Sequence, residues 1–232
     1  MKRYITKKGT EIRCDKLGVA NVYFIRNDTA EIIVDSGISS KWHILEDKIF
    51  KEKINIKYII LTHAHYDHCG NTAMIKRQSG AELIAHENSV PILKKGYSDV
   101  PAGTNLFSRI LTSFYDKIVT KYPKWESVYP DTTFKREYYL QENGLDARLI
   151  HTPGHTNDSI SVILDDEVSF VGDTMFGIFR NTAMPPFAND VNLLFRSWER
   201  LLATNTIMFF PGHGNPIKRD ILEKTLSRKV RN

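Results

Sequence analysis

The chain has 232 residues, 41% hydrophobic and 25% charged, with a formal net charge of +5, a balance that excludes a disordered polyelectrolyte and fits one globular domain with a sizeable core. Two cysteines, Cys14 and Cys69, exclude a disulfide framework, and the lack of any apolar run of signal-peptide or membrane-spanning length leads to the expectation of a cytoplasmic protein with reduced thiols and no membrane. The basic residues are spread along the chain, so the excess charge permits anionic partners without pointing to nucleic acid.

In chain order, Val19 to Arg26 and Glu31 to Val34 read as paired strands around the turn Asn27-Asp28-Thr29, a hairpin that opens the fold. The second strand runs into Asp35-Ser36-Gly37. Trp42, Leu45 and Ile49 have helical spacing, and the apolar run Tyr58 to Leu61 then reads as a buried strand, giving a βαβ arrangement. Directly after it come His63, His65, Asp67 and His68, three histidines and an aspartate within six positions. Packed together without a cation they would need several partners in a partly dry pocket, and neighbouring side chains on a turning backbone diverge, so the loop can serve two cations. Cys69 reads as a small packed residue.

A short helix to Ser79 is stopped by Gly80, and the strand Glu82 to Ala85 has His86 at its tip, placed for hydrogen bonding at the rim. Between residues 91 and 140 the strand pattern fails. Leu106, Ile110, Leu111, Phe114, Ile118 and Val119 recur at helical spacing among aromatics and prolines, which predicts a helical cap inserted in a single domain of residues 1–232. Strands are expected again at Ala147 to Ile150, with Pro153-Gly154 turning to present His155, and at Ile160 to Leu164 and Val168 to Val171, closing in Gly172-Asp173-Thr174. Asp190 is placed to cap a helix whose stripe is Val191, Leu194, Trp198, Leu201 and Leu202. Thr206 to Phe210 is the last strand, delivering His213 in Pro211-Gly212-His213-Gly214, before a terminal helix with a basic face.

These motifs resemble, as an ordered set, those of the metallo-β-lactamase superfamily: Thr62-His63-Ala64-His65-Tyr66-Asp67-His68, Pro153-Gly154-His155-Thr156, Gly172-Asp173-Thr174 and Pro211-Gly212-His213-Gly214, with Asp35 in the first motif. The resemblance covers roughly Val19 to Pro216. It implies an α/β fold, a four-layer αββα sandwich of two similar halves with a dinuclear site along one edge. It further implies that His63, His65 and His155 hold one metal, Asp67, His68 and His213 a second, and that Asp173 bridges them. Asp35 would orient a ligand. Two divalent ions are expected, zinc first, with iron or manganese as alternatives for the same donors.

A hydroxide between the two ions would be the nucleophile, and Asp67 is the candidate catalytic residue that both binds metal and orients it. The expected substrate is a small molecule with an ester-like bond, a carboxylic ester, lactone or thioester, with Phe176, Phe179 and Arg180 as candidate contacts. The alternatives are a phosphodiesterase, an iron-dependent oxidoreductase and a non-catalytic metal or ligand sensor. The common penicillin-cleaving type has cysteine where Asp173 stands, and the flavin-linked diiron oxidoreductases have glutamate where His65 stands. Thioesterases of the glyoxalase II type add a C-terminal helical domain, which this chain lacks room for after Pro216. The oligomeric state has no sequence signature.

Overall fold

Period-two alternation along the strands decides which side chains meet. A computed structural model of the chain describes residues 2–27, 31–99, 102–104, 124–141 and 145–230. One sheet follows chain order: β1 (Lys2–Ile5), β2 (Glu11–Leu17), β3 (Ala20–Arg26), β4 (Glu31–Val34), β5 (Ile56–Ile60), β6 (Glu82–His86) and β7 (Thr132–Phe134). Pairing is antiparallel from β1 to β4 and parallel from β4 to β7. The second sheet runs β13-β12-β11-β10-β9-β8, built from β8 (Glu137–Leu140), β9 (Ala147–His151), β10 (Ile160–Leu164), β11 (Val168–Gly177), β12 (Met208–Gly214) and β13 (Ile217–Lys218). Only β11 and β12 are parallel in it.

The four expected layers follow from three apolar clusters. Tyr23, Ile25, Ile32, Val34 and Ile60 of the first sheet face Leu149, Val162, Leu164, Phe170 and Phe210 of the second. The alternate residues Val22, Phe24, Ile33 and Ile59 point outward onto α1 (Trp42–Lys51) and α3 (Thr72–Ser79) through Leu45 and Ile75, α2 (Tyr66–Cys69) adding Cys69. On the far side, Ile150, Ile163, Val171 and Phe209 receive Leu194, Trp198 and Leu201 of α5 (Val191–Leu202) and Leu222 of α6 (Arg219–Val230). Asp190 caps α5 as predicted, its Oδ1 accepting from the Asn192 and Leu193 amides at 2.8 and 2.9 Å. Gly80 ends α3 in the left-handed region, φ 69°. No helix among the described residues is long and apolar enough to cross a membrane.

Three expectations need correction. The hairpin of β3 and β4 does not open the fold, because β1 and β2 precede it; β2 carries Arg13, Asp15 and Lys16 among its apolar residues, which conceals a strand that pairs on both sides, with β1 and β3. The segment 91–140 is not helical to its end. It begins helical, inside α4 (Val90–Lys95), but it finishes in β7 and β8, which join different sheets, while Trp125 and Val128 pack into the outer core of the first sheet. Leu106, Ile110, Leu111, Phe114, Ile118 and Val119, on which the cap rests, lie outside the described residues, as do Asp28 and Thr29 of the first turn. Lastly, Asp173 and His213 sit within β11 and β12 rather than beyond them; register shifts after Phe170 and Gly172 bend β11 there.

Candidate metal centre

The parallel strands β4 and β5 end side by side, and the chain after each turns along the same edge of the sandwich. Asp35 sits just past β4 with φ 60°, a left-handed conformation that aspartate tolerates better than most residues. Its buried carboxylate takes the Thr62 amide at 2.8 Å, the Thr62 hydroxyl, and the His68 Nδ1–H at 2.8 Å. This pins the start of the histidine loop to the end of β4. Gly212 lets β12 come in from the second sheet: a Cβ there would lie 2.5 Å from His68 Cε1 and would collide with Asp173 Oδ1.

All seven donors predicted from sequence come together. His63, His65, His155 and Asp173 form one group and Asp67, His68 and His213 another, with the ligand atoms of each group within 4.8 Å of one another. His63 Nε2 and His155 Nε2 lie 2.9 and 3.2 Å from His65 Nδ1. His68 Nε2 is 3.4 Å from His213 Nε2, and His213 Nε2 is 3.3 Å from Asp67 Oδ2. Asp173 of the first group also reaches the second, at 3.3 Å from His68 and His213 as against 3.5 Å from His155.

The outward ring nitrogens explain why these rings can hold a cation. His68 donates to Asp35, His155 to the Phe187 carbonyl at 2.9 Å, and His213 to the Val19 carbonyl at 2.9 Å. The Thr62 hydroxyl gives its proton to Asp35, so it accepts from His63 Nδ1, 3.1 Å away. With the outer nitrogen carrying the proton, the inner nitrogen presents a bare lone pair, the tautomer that metal ligation requires. Burial, followed by the neighbouring imidazoles, holds His63 well below the usual histidine range; burial lowers His155 as well, and His65 falls to about 3. Facing lone pairs repel, and Asp173 Oδ1 is a buried oxygen with no hydrogen-bond partner. The donor set therefore fits a divalent cation. In the second group burial opposes protonation, but Asp173 and Asp67 outweigh it, so His68 is raised and His213 is pushed up to about 10.

The remaining candidates fall into place around this centre. Phe176 is buried and stacks on the His213 ring at 4.7 Å, whereas Phe179 and Arg180 are exposed beyond β11. His86 bonds to the Lys135 carbonyl and stacks on His151, away from both groups. Cys69 is buried in the apolar cluster under the loop. Sequence reasoning missed Thr62 as a link between Asp35 and His63, though it stands inside the motif. It also missed Asp158, three residues after His155 and readable only once its partners are seen. The Val19 and Phe187 carbonyls leave no trace in residue identity.

An αββα sandwich with these donors along one edge is the arrangement of a metallo-hydrolase. The chain belongs to the metallo-beta-lactamase superfamily, whose family model matches residues 15–213. It is 31% identical over 191 residues to a probable metallo-hydrolase of Methanocaldococcus jannaschii, covering 79% of this chain and 82% of that one. It is 28% identical over 188 residues to a hydroxyacylglutathione hydrolase of Haemophilus influenzae, covering 79% of each. A beta-lactamase-like protein 2 homolog of Drosophila melanogaster is 28% identical over 87% of this chain, which spans 60% of that relative's length. Among solved structures, a metallo-beta-lactamase superfamily protein of Sulfolobus tokodaii shares the fold with a TM-score of 0.68 at 21% identity, over 94% of this chain and 86% of that one.

Proposed function

We propose that the protein is a dinuclear hydrolase of a carboxylic ester, lactone or thioester in a small molecule, working in the cytoplasm. The observation that carries this reading is the convergence of seven donors into two adjacent groups with Asp173 reaching both. His63, His65 and His155 would hold one ion and Asp67, His68 and His213 the other, zinc being the first choice for imidazole and carboxylate donors and iron or manganese the alternatives. Two such ions would supply Lewis acidity and lower the pKa of bound water from 15.7 to about 7. Asp67, whose Oδ2 lies 3.3 Å from His213 Nε2, would both hold an ion and accept a hydrogen bond from the attacking water, orienting it. Asp35 and Thr62 hold His68 and His63 in the productive tautomer.

Thioesters stay within the class. The chain aligns with 79% of a relative named as a hydroxyacylglutathione hydrolase, so the room left after Pro216 does not argue against them. Phe179 and Arg180, exposed in the chain just after β11, are proposed contacts for the substrate's apolar part and for an anionic group. The test is elemental analysis of protein purified without chelator, joined to a panel of esters, lactones, thioesters and phosphodiesters. Two ions per chain with chelator-sensitive cleavage of a carbonyl substrate is the expected result. One ion that added zinc or manganese does not raise to two, or faster cleavage of phosphodiesters than of any carbonyl substrate, would overturn the reading.

A further inference from the structure

The two ends of the donor pair face unlike surroundings. Phe176 stacks on the His213 ring, Val19, whose carbonyl accepts from that ring, has an exposed side chain, and Ile178 and Phe179, just after Phe176 in the chain, are exposed too. Beside His65 opens a cavity of about 250 Å³ lined by His65, Asn88, Lys95, Asn157, Asp158 and Asn189 among others. Asp158 is the informative member. It is 1% exposed, and its Oδ2 accepts from the Ala64 amide, the peptide between His63 and His65, at 2.9 Å and from Ser89 Oγ at 2.7 Å. Oδ1, which receives no donor among the described residues, is left to the cavity that Asp158 lines. Asn88 commits its Nδ2 to the Asn157 carbonyl at 3.1 Å, leaving its own side-chain oxygen as a second acceptor. Lys95, the cation of the cavity, lies over the Tyr97 ring at 3.8 Å. The wall carries donors as well, on Lys95, Ser98, Asn157 and Asn189, but its buried carboxylate, Asp158, and the exposed Asp99 at the mouth favour a ligand that brings a donor of its own.

Resting on the ester or thioester reading, we propose that this cavity receives the polar, non-reacting end of the substrate, and that Asp158 Oδ1 accepts a hydrogen bond there from an amide N–H or a hydroxyl. The ligand class is thus a donor-bearing, uncharged end rather than a carboxylate or phosphate, which would meet the Asp158 carboxylate. The apolar part of the substrate lies toward Phe179. Asp158 is a specificity-determining residue in this scheme, and through Ala64 it also holds the loop between two metal ligands.

The test uses the zinc-loaded full chain. S-acetyl-N-acetylcysteamine carries an amide N–H, and its N-methyl amide counterpart has the same acceptors without the donor. The secondary amide should be favoured in kcat/KM by at least about tenfold, mainly through KM. Asp158→Asn keeps one oxygen for Ala64 and Ser89 and turns an NH2 toward the cavity, so it should abolish or reverse that preference; Asn88→Leu, which leaves the metal loop alone, should weaken it. The S-methyl thioethers of the same two amides, titrated against the protein by NMR, give a readout without turnover. Equal handling of the two amides, or a preference unchanged in both variants, would overturn the proposal. If p-nitrophenyl acetate and every thioester resist cleavage while the thioether pair is still discriminated, the hydrolase reading falls and the cavity stands as a ligand site.

Discussion

Replacing Asp35 by asparagine should disable the second donor group without disturbing the backbone around it. Asparagine adopts φ near +60° as readily as aspartate, so the turn after β4 is kept. The hydrogen bonds are not. If the amide oxygen retains the Thr62 amide, the NH2 is left against His68 Nδ1–H, donor to donor. The imidazole can escape only by moving its proton to Nε2, the nitrogen that faces His213 and Asp173. That blocks the lone pair meant for the cation. Loss of a partner that orients a metal ligand costs about 10- to 100-fold in metal affinity, or roughly 1.4 to 2.8 kcal/mol. Competition of zinc against a chromophoric chelator should resolve two binding phases in the parent chain. The phase that His213→Ala removes should weaken in Asp35→Asn, while the other keeps its midpoint. Two unshifted phases would refute the argument that Asp35 sets the His68 tautomer.

Asp173→Ala takes away the carboxylate that reaches both groups, so the chain should retain one zinc and lose turnover by on the order of a hundredfold or more; elemental analysis with kcat measurement checks both. Gly212→Ala drives a methyl against His68 and Asp173, and should lower zinc stoichiometry with little change in far-UV circular dichroism. Zinc entering the second group must displace the proton that Asp173 and Asp67 hold on His213 against burial, raising it to about 10, so apparent affinity there should fall roughly tenfold per unit of falling pH for each proton released. Calorimetry in buffers of different ionisation enthalpy, between about pH 6 and 8, counts those protons. Asp190→Ala removes the α5 cap and should cost about 1 kcal/mol, read as a lowered denaturation midpoint with zinc binding intact.

The sequence made the donors legible because metal ligation demands particular residue types at particular strand ends, and His63, His65, Asp67, His68, His155, Asp173 and His213 satisfy that demand in chain order. Interior strands were legible for a similar reason: β5 and β10 are buried on both faces but for Lys57 and read as near-continuous apolar runs, interrupted by Lys57 in β5 and Ser161 in β10. Short strands and strands left partly exposed near the rim of a sheet lack this constraint. In β2, Arg13 lies over the Phe24 ring and Asp15 pairs with Lys48, so polar residues do the packing there and no apolar alternation survives to be read. The strands β7 and β8 are only three and four residues long, too short for periodicity to show against the surrounding aromatics.

The groups that tune the donors escaped for another reason. Val19 and Phe187 act through backbone carbonyls, and any residue could stand there provided the chain followed the same path. Asp158 acts through its side chain, yet the two groups it ties together, the Ala64 amide and Ser89, lie 94 and 69 residues away and meet it only because β5, β6 and β10 bring their ends to one edge. Ligand identity is therefore written locally, whereas the choice of tautomer, and with it whether a histidine can ligate at all, is a property of the assembled edge. A chain that kept all seven donors but lost Asp35 would keep the recognisable motif in the histidine loop and lose the hydrogen bond that turns the bare lone pair of His68 toward a cation.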